Sequence, residues 1–217
     1  MDDFTTLSLE DFLDQVADRT PTPGGGSVTG LAGALACALA RMVAAYSIGK
    51  KTEPDVLAQV ETTAIRLHRM DQLLRALITQ DAKAYTKMTE AAASRGPGPA
   101  RTRDPQAAYD EAVLGAAAVP MEMAAVVSNA LTTMDELKPV ASRYLLSDLA
   151  VAAVLADATA RACFYTVRVN AREVSDTATR AKLLSDIDEI TEHCARRRES
   201  VETFVREHLE DRRIDSR

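Results

Sequence analysis

Helix breakers are few in this chain and crowd into two places. Its 217 residues include 9 glycines and 8 prolines, and the densest clusters are Pro21-Thr22-Pro23-Gly24-Gly25-Gly26 and Gly96-Pro97-Gly98-Pro99. Between them Ala, Leu, Glu, Arg and Met dominate, the residues that lose least on entering a helix. No alternating Val/Ile/Thr/Tyr run leads into a hairpin turn. A chain punctuated so seldom folds as long helices. Ser8 and Asp11 resemble a capping box, and Leu9, Phe12, Leu13 and Val16 then form one apolar stripe of a first helix that stops near Arg19. Further helices are predicted over 27–48 and 54–94. A fourth opens at Asp104, a cap followed by Pro105 at the first helical position, and runs to about 137. Pro120 lies inside it and predicts a kink or a break. Two more are predicted over 142–171 and 174–210, with 211–217 a frayed tail. The expected fold is all-α: one domain over 1–217, an antiparallel helical bundle with several long helices.

Charge and cysteine usage narrow the partners. With 26 Lys+Arg against 32 Asp+Glu the net charge is −6, which lacks the basic footprint of a nucleic-acid binder. Arg196-Arg197-Arg198 is diluted by Glu192, Glu199 and Glu202 and reads as a solvated helix face. Cys37, Cys163 and Cys194 are far apart and form no CxxC pair. That argues against a disulfide framework and a zinc site, so no metal is expected, and it fits a reducing cytosol. The acidic opening is neither a secretory leader nor a transit peptide, and a cytoplasmic location is expected. Two stretches are apolar enough to test as membrane spans: 24–49, with Arg41 as its one charge, and 112–134, with Glu122. Both are built largely of Ala and Gly and hold their charge in the interior, where lipid would penalise it by about 2.5 kcal/mol or more. They read as buried helices of a soluble protein, with no membrane partner.

Chemistry is concentrated at a few positions. The triple glycine leads directly into an apolar helix, with Ser27 placed to cap it. Glycines there permit positive φ and close approach of a ligand, and the helix start suits an anion. The same residues would equally serve as a tight turn with a serine cap. Asp81 has Leu77, Ile78, Ala84, Tyr85 and Met88 on its helical face, Asp148 has Leu145, Val151, Ala152 and Leu155, and Glu122 has Ala118, Val119, Ala125 and Val126. All three carboxylates are expected to point inward, where an unpaired charge is costly; each is either held by an arginine or a helix terminus, or is a perturbed acid of a functional site. Gly30, Gly33, Ala34 and Ala38 form a small-residue face suited to helix packing or a dimer seam. Lys50 and Lys51 serve as helix-end cations or as ligands for an anionic substrate. Asn170 serves as a C-cap or a binding residue. His68, His193 and His208 read as surface histidines.

These same residues carry a resemblance. Thr22-Pro23-Gly24-Gly25-Gly26-Ser27-Val28 followed by a Gly/Ala helix and Ile48-Gly49-Lys50-Lys51 resembles the opening of the formiminotransferase-cyclodeaminase C-terminal domain family. The match extends to Asp81-Ala82-Lys83-Ala84-Tyr85, Ala118-Val119-Pro120-Met121, Ser147-Asp148-Leu149-Ala150 and Phe164-Tyr165-Thr166-Val167-Arg168-Val169-Asn170, in that order. The resemblance implies an all-helical homodimer acting on folate one-carbon units, with a tetrahydrofolate derivative as substrate and no covalently bound cofactor. The activity is either methenyltetrahydrofolate cyclohydrolase, a hydrolase, or formimidoyltetrahydrofolate cyclodeaminase, a lyase releasing ammonia. No formiminotransferase module precedes Met1, which tilts the expectation toward hydrolysis. By the same resemblance Asp81 and Asp148 are the catalytic acid/base or cation-stabilising groups. Gly24, Gly25, Gly26, Ser27, Lys50 and Asn170 bind substrate, in a cleft shared between subunits. The stretch around Lys138-Pro139, Thr52-Glu53-Pro54 after the lysines, and Thr166 depart from the family pattern and are expected at the pocket walls. They motivate one alternative, a same-fold enzyme redirected to a non-folate amidine, imine or cyclisation substrate; a second, of a different class, is a non-catalytic helical dimerisation protein.

Overall fold

Most helices start where a side chain or a proline takes care of the free N–H groups. In the computed structural model, which describes residues 3–49, 52–95 and 104–211, Ser8 accepts from the Asp11 N–H at 3.0 Å and opens α1 (Leu9–Ala17). Pro54 occupies the first turn of α3 (Pro54–Ala93). Asp104 accepts from the Gln106 N–H at 3.0 Å and Pro105 follows it at the start of α4 (Pro105–Leu137). Asp176 accepts from the Thr179 N–H at 2.7 Å ahead of α6 (Thr177–Asp211). The helices α2 (Gly25–Tyr46) and α5 (Leu146–Ala171) have no side-chain cap of their own. Short 3-10 turns at Phe4–Thr6, Lys138–Val140 and Arg143–Leu145 complete the described elements, and no strand occurs among the described residues.

The predicted helices are therefore present, with two differences. First, α2 starts at Gly25, with Gly24 as cap residue, so Ser27 lies inside the first turn and does not cap it. Second, α4 runs through Pro120 without a break. The tail beyond 211, the 96–103 turn, and Lys50 and Lys51 lie outside the described residues.

Small side chains decide how α2 is placed. It lies among α3, α4 and α5, and α6 packs on α4 and α5. A Cβ at Gly30 would sit 2.9 Å from Ile78 Cγ1, and one at Gly33 would sit 3.1 Å from Val127 Cγ1, so glycine lets α2 approach α3 and α4 closely. The small-residue face thus packs largely inside the chain, with Ala38 at its half-buried margin. Around it Leu67, Leu74 and Leu77 of α3, Met123, Leu131 and Met134 of α4, Leu149 of α5 and Ile187 of α6 are fully buried. Each such side chain contributes roughly 1.5–3 kcal/mol by leaving water. A smaller cluster of Phe4, Phe12, Ile78 and Ala82 fastens α1 and the N-terminal turn to α3, with the Phe4 and Phe12 rings edge to face at 6.5 Å. Three helical stretches, Gly25–Tyr46, Pro105–Val140 and Arg143–Ala171, are long and apolar enough by composition to cross a membrane. Much of that apolar character is used inside the fold: 50%, 56% and 44% of their most apolar windows is buried.

Candidate active site

The start of α2, the second half of α3, the middle of α4 and the end of α5 meet around a pocket of about 350 Å³, a size that suits a small organic ligand. Gly24, Gly25 and Gly26 form one wall, and Asp81, Tyr85 and Met88 of α3 another. Ala116 comes from α4, and Tyr165, Thr166, Val169 and Asn170 come from the last turns of α5. The cluster of Phe4, Phe12, Ile78 and Ala82 lies beside Asp81, so it sets where the carboxylate stands relative to the glycines.

Asp81 and Gly26 are in direct contact. A Cβ built on Gly26 would fall 2.0 Å from Asp81 Oδ1 and 2.2 Å from its Cγ. Only glycine leaves room for the carboxylate. No glycine among the described residues has positive φ, so this glycine is required by close approach and not by a left-handed backbone. The side chain of α3 thereby does what no side chain of α2 does: it faces the free N–H groups at the helix start. Burial pushes the Asp81 carboxyl above its ordinary value, and the Ser27 backbone N–H facing it works in the opposite direction. The Cys163 thiol is pushed up to about 12, first by burial, then by the neighbouring Cys194 and by the Asp81 charge.

Other acids in the fold show what is unusual here. Asp71, 2% exposed, holds Arg75 Nε at 2.7 Å and Arg41 Nη1 at 3.3 Å. Asp157, 4% exposed, holds Arg161 Nε at 2.9 Å and Arg198 Nε at 3.2 Å. Asp135 is paired with Lys138 and Arg197. These pairs neutralise buried charge and tie helices together. Among the described residues no lysine, arginine or histidine pairs with Asp81. It is a half-buried carboxylate with no cationic partner among the described residues.

Several expected site residues are placed elsewhere. Ser27 is fully buried and its hydroxyl donates to the Ile78 carbonyl at 3.1 Å, so it contributes its backbone N–H and not its side chain. Asp148 is half-buried on the first turn of α5, whereas the pocket lies at the other end of that helix. The 18 residues separating it from Thr166 correspond to about 27 Å along the axis. Glu122 is exposed, because α4 is apolar on several sides and its apolar neighbours do not mark the inner face. Lys138 opens the 3-10 turn just past the end of α4, where it donates to Ser200 Oγ at 2.7 Å. Of the family departures at 138–139 and 166, only Thr166 therefore lines the pocket. His68 is exposed, whereas His193 lies 3.2 Å from Thr132 Oγ1 and His208 rests against Phe204, both half-buried. Among the described residues no group of three His, Cys, Asp or Glu side chains could hold a metal ion.

Asp71 and Asp157 escaped the sequence reading. Their signal was present as an arginine four residues on in each case, Arg75 and Arg161, the spacing that brings side chains together on a helix. Tyr85, Met88, Tyr165 and Val169, which give the pocket its aromatic and apolar walls, stand on the helical face of Asp81 or within the late aromatic motif, but nothing in that placement marks them as pocket walls.

A model of the formiminotransferase-cyclodeaminase family matches residues 8–189. The chain belongs to that family. Within the family it is 28% identical over 185 residues to the methenyltetrahydrofolate cyclohydrolase of Methylorubrum extorquens, covering 83% of this chain and 87% of that protein. It is 29% identical over 175 residues to the formimidoyltransferase-cyclodeaminase of Mus musculus, covering 81% of this chain. It spans only 32% of the length of that mouse relative. The crystal structure of formiminotetrahydrofolate cyclodeaminase from Thermotoga maritima superposes with a TM-score of 0.85 at 29% identity, over 94% of this chain and 98% of that one.

Proposed function

We propose that this chain is a folate one-carbon enzyme of the methenyltetrahydrofolate cyclohydrolase type. The observation that carries the reading is Asp81, an acid with no cationic partner among the described residues, raised in pKa, and seated between the glycine start of α2 and an apolar pocket wall. The cyclohydrolase relative from Methylorubrum extorquens, 87% covered by the match, supports it. The substrate's amidinium carbon is the missing positive charge. A carboxylate beside it stabilises the bound cation and takes a proton from the water that attacks that carbon. The resulting tetrahedral adduct collapses when the same acid returns the proton to the departing ring nitrogen and the adduct's hydroxyl proton passes to solvent, leaving a formyl group on the other nitrogen. Tyr85, Met88, Tyr165 and Val169 offer faces for a flat reduced pterin.

The Thermotoga maritima neighbour favours a second reading, the cyclodeaminase reaction. There a substrate nitrogen attacks a formimidoyl carbon and ammonia leaves with a proton from the same acid. The two differ in direction at one cation. Loss or gain of methenyltetrahydrofolate absorbance separates them: the purified protein consumes it in the first case and forms it from the formimidoyl compound in the second. Asp81→Asn abolishes either. A protein that does neither at micromolar concentration ends both readings.

The same proposal includes a cytoplasmic, antiparallel bundle that pairs as a homodimer. Val28, Leu35 and Met42 recur every seven residues on the outer face of α2 at 40%, 53% and 37% exposure, and Leu9 of α1 lines the same groove as Leu35. A second copy would cover this stripe. Asp148 enters the chemistry only if that copy carries it to the pocket. Sedimentation equilibrium, together with turnover by Asp148→Asn, checks both points; a monomer, or a fully active variant, removes Asp148 from the mechanism.

A further inference from the structure

A proline inside a helix leaves one carbonyl without its helical donor, that of the residue four positions earlier. In α4 the proline is Pro120, and the carbonyl four residues back is that of Ala116, on the pocket wall. That carbonyl is not left unpaired. Asn170, at the end of α5, donates its side-chain Nδ2 to it at 2.7 Å. The two residues are 54 apart in sequence and both line the pocket.

The consequence concerns the other end of the amide. An asparagine amide is planar, with a donor and an acceptor that exchange places when it flips. Bonding to a carbonyl, which only accepts, fixes the nitrogen on α4 and leaves the oxygen as the free acceptor. Among the described residues no protein donor meets Asn170 Oδ1. An alanine at 120 would supply the N–H that the Ala116 carbonyl lacks, and the helix ladder would compete with Asn170 for it. The ring of Pro120 also presses the carbonyl four residues back away from the helix axis, toward a partner outside the helix.

We infer that Pro120 is a positioning residue: by freeing the Ala116 carbonyl it locks the Asn170 amide with its oxygen available to the pocket. The pocket then presents, besides the Asp81 carboxylate, the Asn170 carbonyl oxygen as an acceptor for a ligand N–H group. This rests on the folate reading for the identity of the ligand, although not for the lock itself. On that reading Asp81 serves the reacting carbon, and the Asn170 oxygen takes an N–H donor from the pyrimidine edge of a reduced pterin.

The test is Pro120→Ala, read in two ways. In ligand-free protein labelled with nitrogen-15, the Asn170 side-chain amide signal, assigned by its loss in Asn170→Ala, reports the lock directly. The expected result is a hydrogen-bonded amide proton in the wild type that shifts and exchanges about tenfold faster in Pro120→Ala. In turnover, Pro120→Ala is expected to lose about tenfold in kcat/KM, mostly through KM, while Tm stays level or rises because alanine suits a helix better than proline. A merely structural proline would lose activity and stability together. In an Asn170→Ala background the added Pro120→Ala should change kcat/KM less than twofold. Asn170→Asp, which keeps an acceptor but cannot donate to the Ala116 carbonyl, is expected to lose at least as much as Pro120→Ala. Unchanged amide exchange in Pro120→Ala, losses that multiply in the double variant, or full turnover by Asn170→Asp would each overturn the inference. If the wild type turns over no folate, the folate reading fails alone and the amide signal still decides the lock.

Discussion

Replacing Gly26 by alanine tests the site with a single methyl group. The added carbon would lie 2.0 Å from Asp81 Oδ1, 2.2 Å from Cγ and 2.4 Å from Oδ2. Ordinary contact needs about 3.5 Å, so roughly 1.5 Å must be found. The backbone of α2 is poorly placed to yield it, because neighbouring Ser27 is fully buried and bonded to the Ile78 carbonyl at 3.1 Å. The carboxylate withdraws instead and leaves both the Ser27 N–H and its place in the pocket. A contact to a charged group contributes about 1.5–3 kcal/mol when fully buried, and less at a half-buried carboxylate. Alanine in place of helical glycine returns up to about 1 kcal/mol. The net change in stability is therefore expected within about 2 kcal/mol, a Tm shift no larger than about 8 °C for a domain of this size. Displacing the acid/base group costs far more, about 10²–10⁴ in rate. Gly26→Ala should thus lose at least a hundredfold in kcat/KM, followed by methenyl absorbance, while its thermal scan stays near that of the wild type. Against Asp81→Ala, where the clash is gone, the same substitution should be neutral or slightly stabilising. A Gly26→Ala enzyme keeping more than half of its kcat/KM would refute the claim that the carboxylate works from where it stands.

Two further outcomes follow from buried titratable groups. Burial holds the Asp81 carboxyl above its usual 3.8 in the folded chain, so the fold binds this proton more readily than the unfolded chain does. Stability is then lost as pH rises from 3.8 through the folded value. Asp81→Asn removes that cost, so thermal scans should show its advantage over wild type growing from acid to neutral pH; a gap constant across pH 4–8 would contradict the burial argument. The three cysteines are buried with thiols pushed up to about 12 by that burial. A chromogenic disulfide reagent at pH 8 should label none of them in the native protein within minutes and all three after denaturation. Rapid native labelling would mean that the core opens far more readily than its packing implies.

The helices were legible in the residues because their causes are local. Ser8 with Asp11, Pro54, and Asp104 with Pro105 mark helix starts that the fold keeps. Gly24, Gly25, Gly26, Asp81 and Asn170, which stand in separate motifs along the chain, line one pocket. Inward acids were less legible. Periodicity separates inside from outside when a helix is apolar along one stripe, as α1 is. It fails on α4 and α5, where alanines and valines surround the axis, and so it misplaced Glu122 and overstated the burial of Asp148.

What the sequence determined by itself, then, was the set of helices and their caps, since a cap or a proline acts within one turn of where it stands. Only the tertiary structure decided which carboxylate is chemically exceptional. Spacing gives Asp71 and Asp157 one arginine each, four residues on, but not the second, Arg41 and Arg198, which arrive from other helices. Whether a charge is compensated depends on what the rest of the fold brings within about 4 Å of it, and that distance is not written in the spacing of residues along one strand of chain.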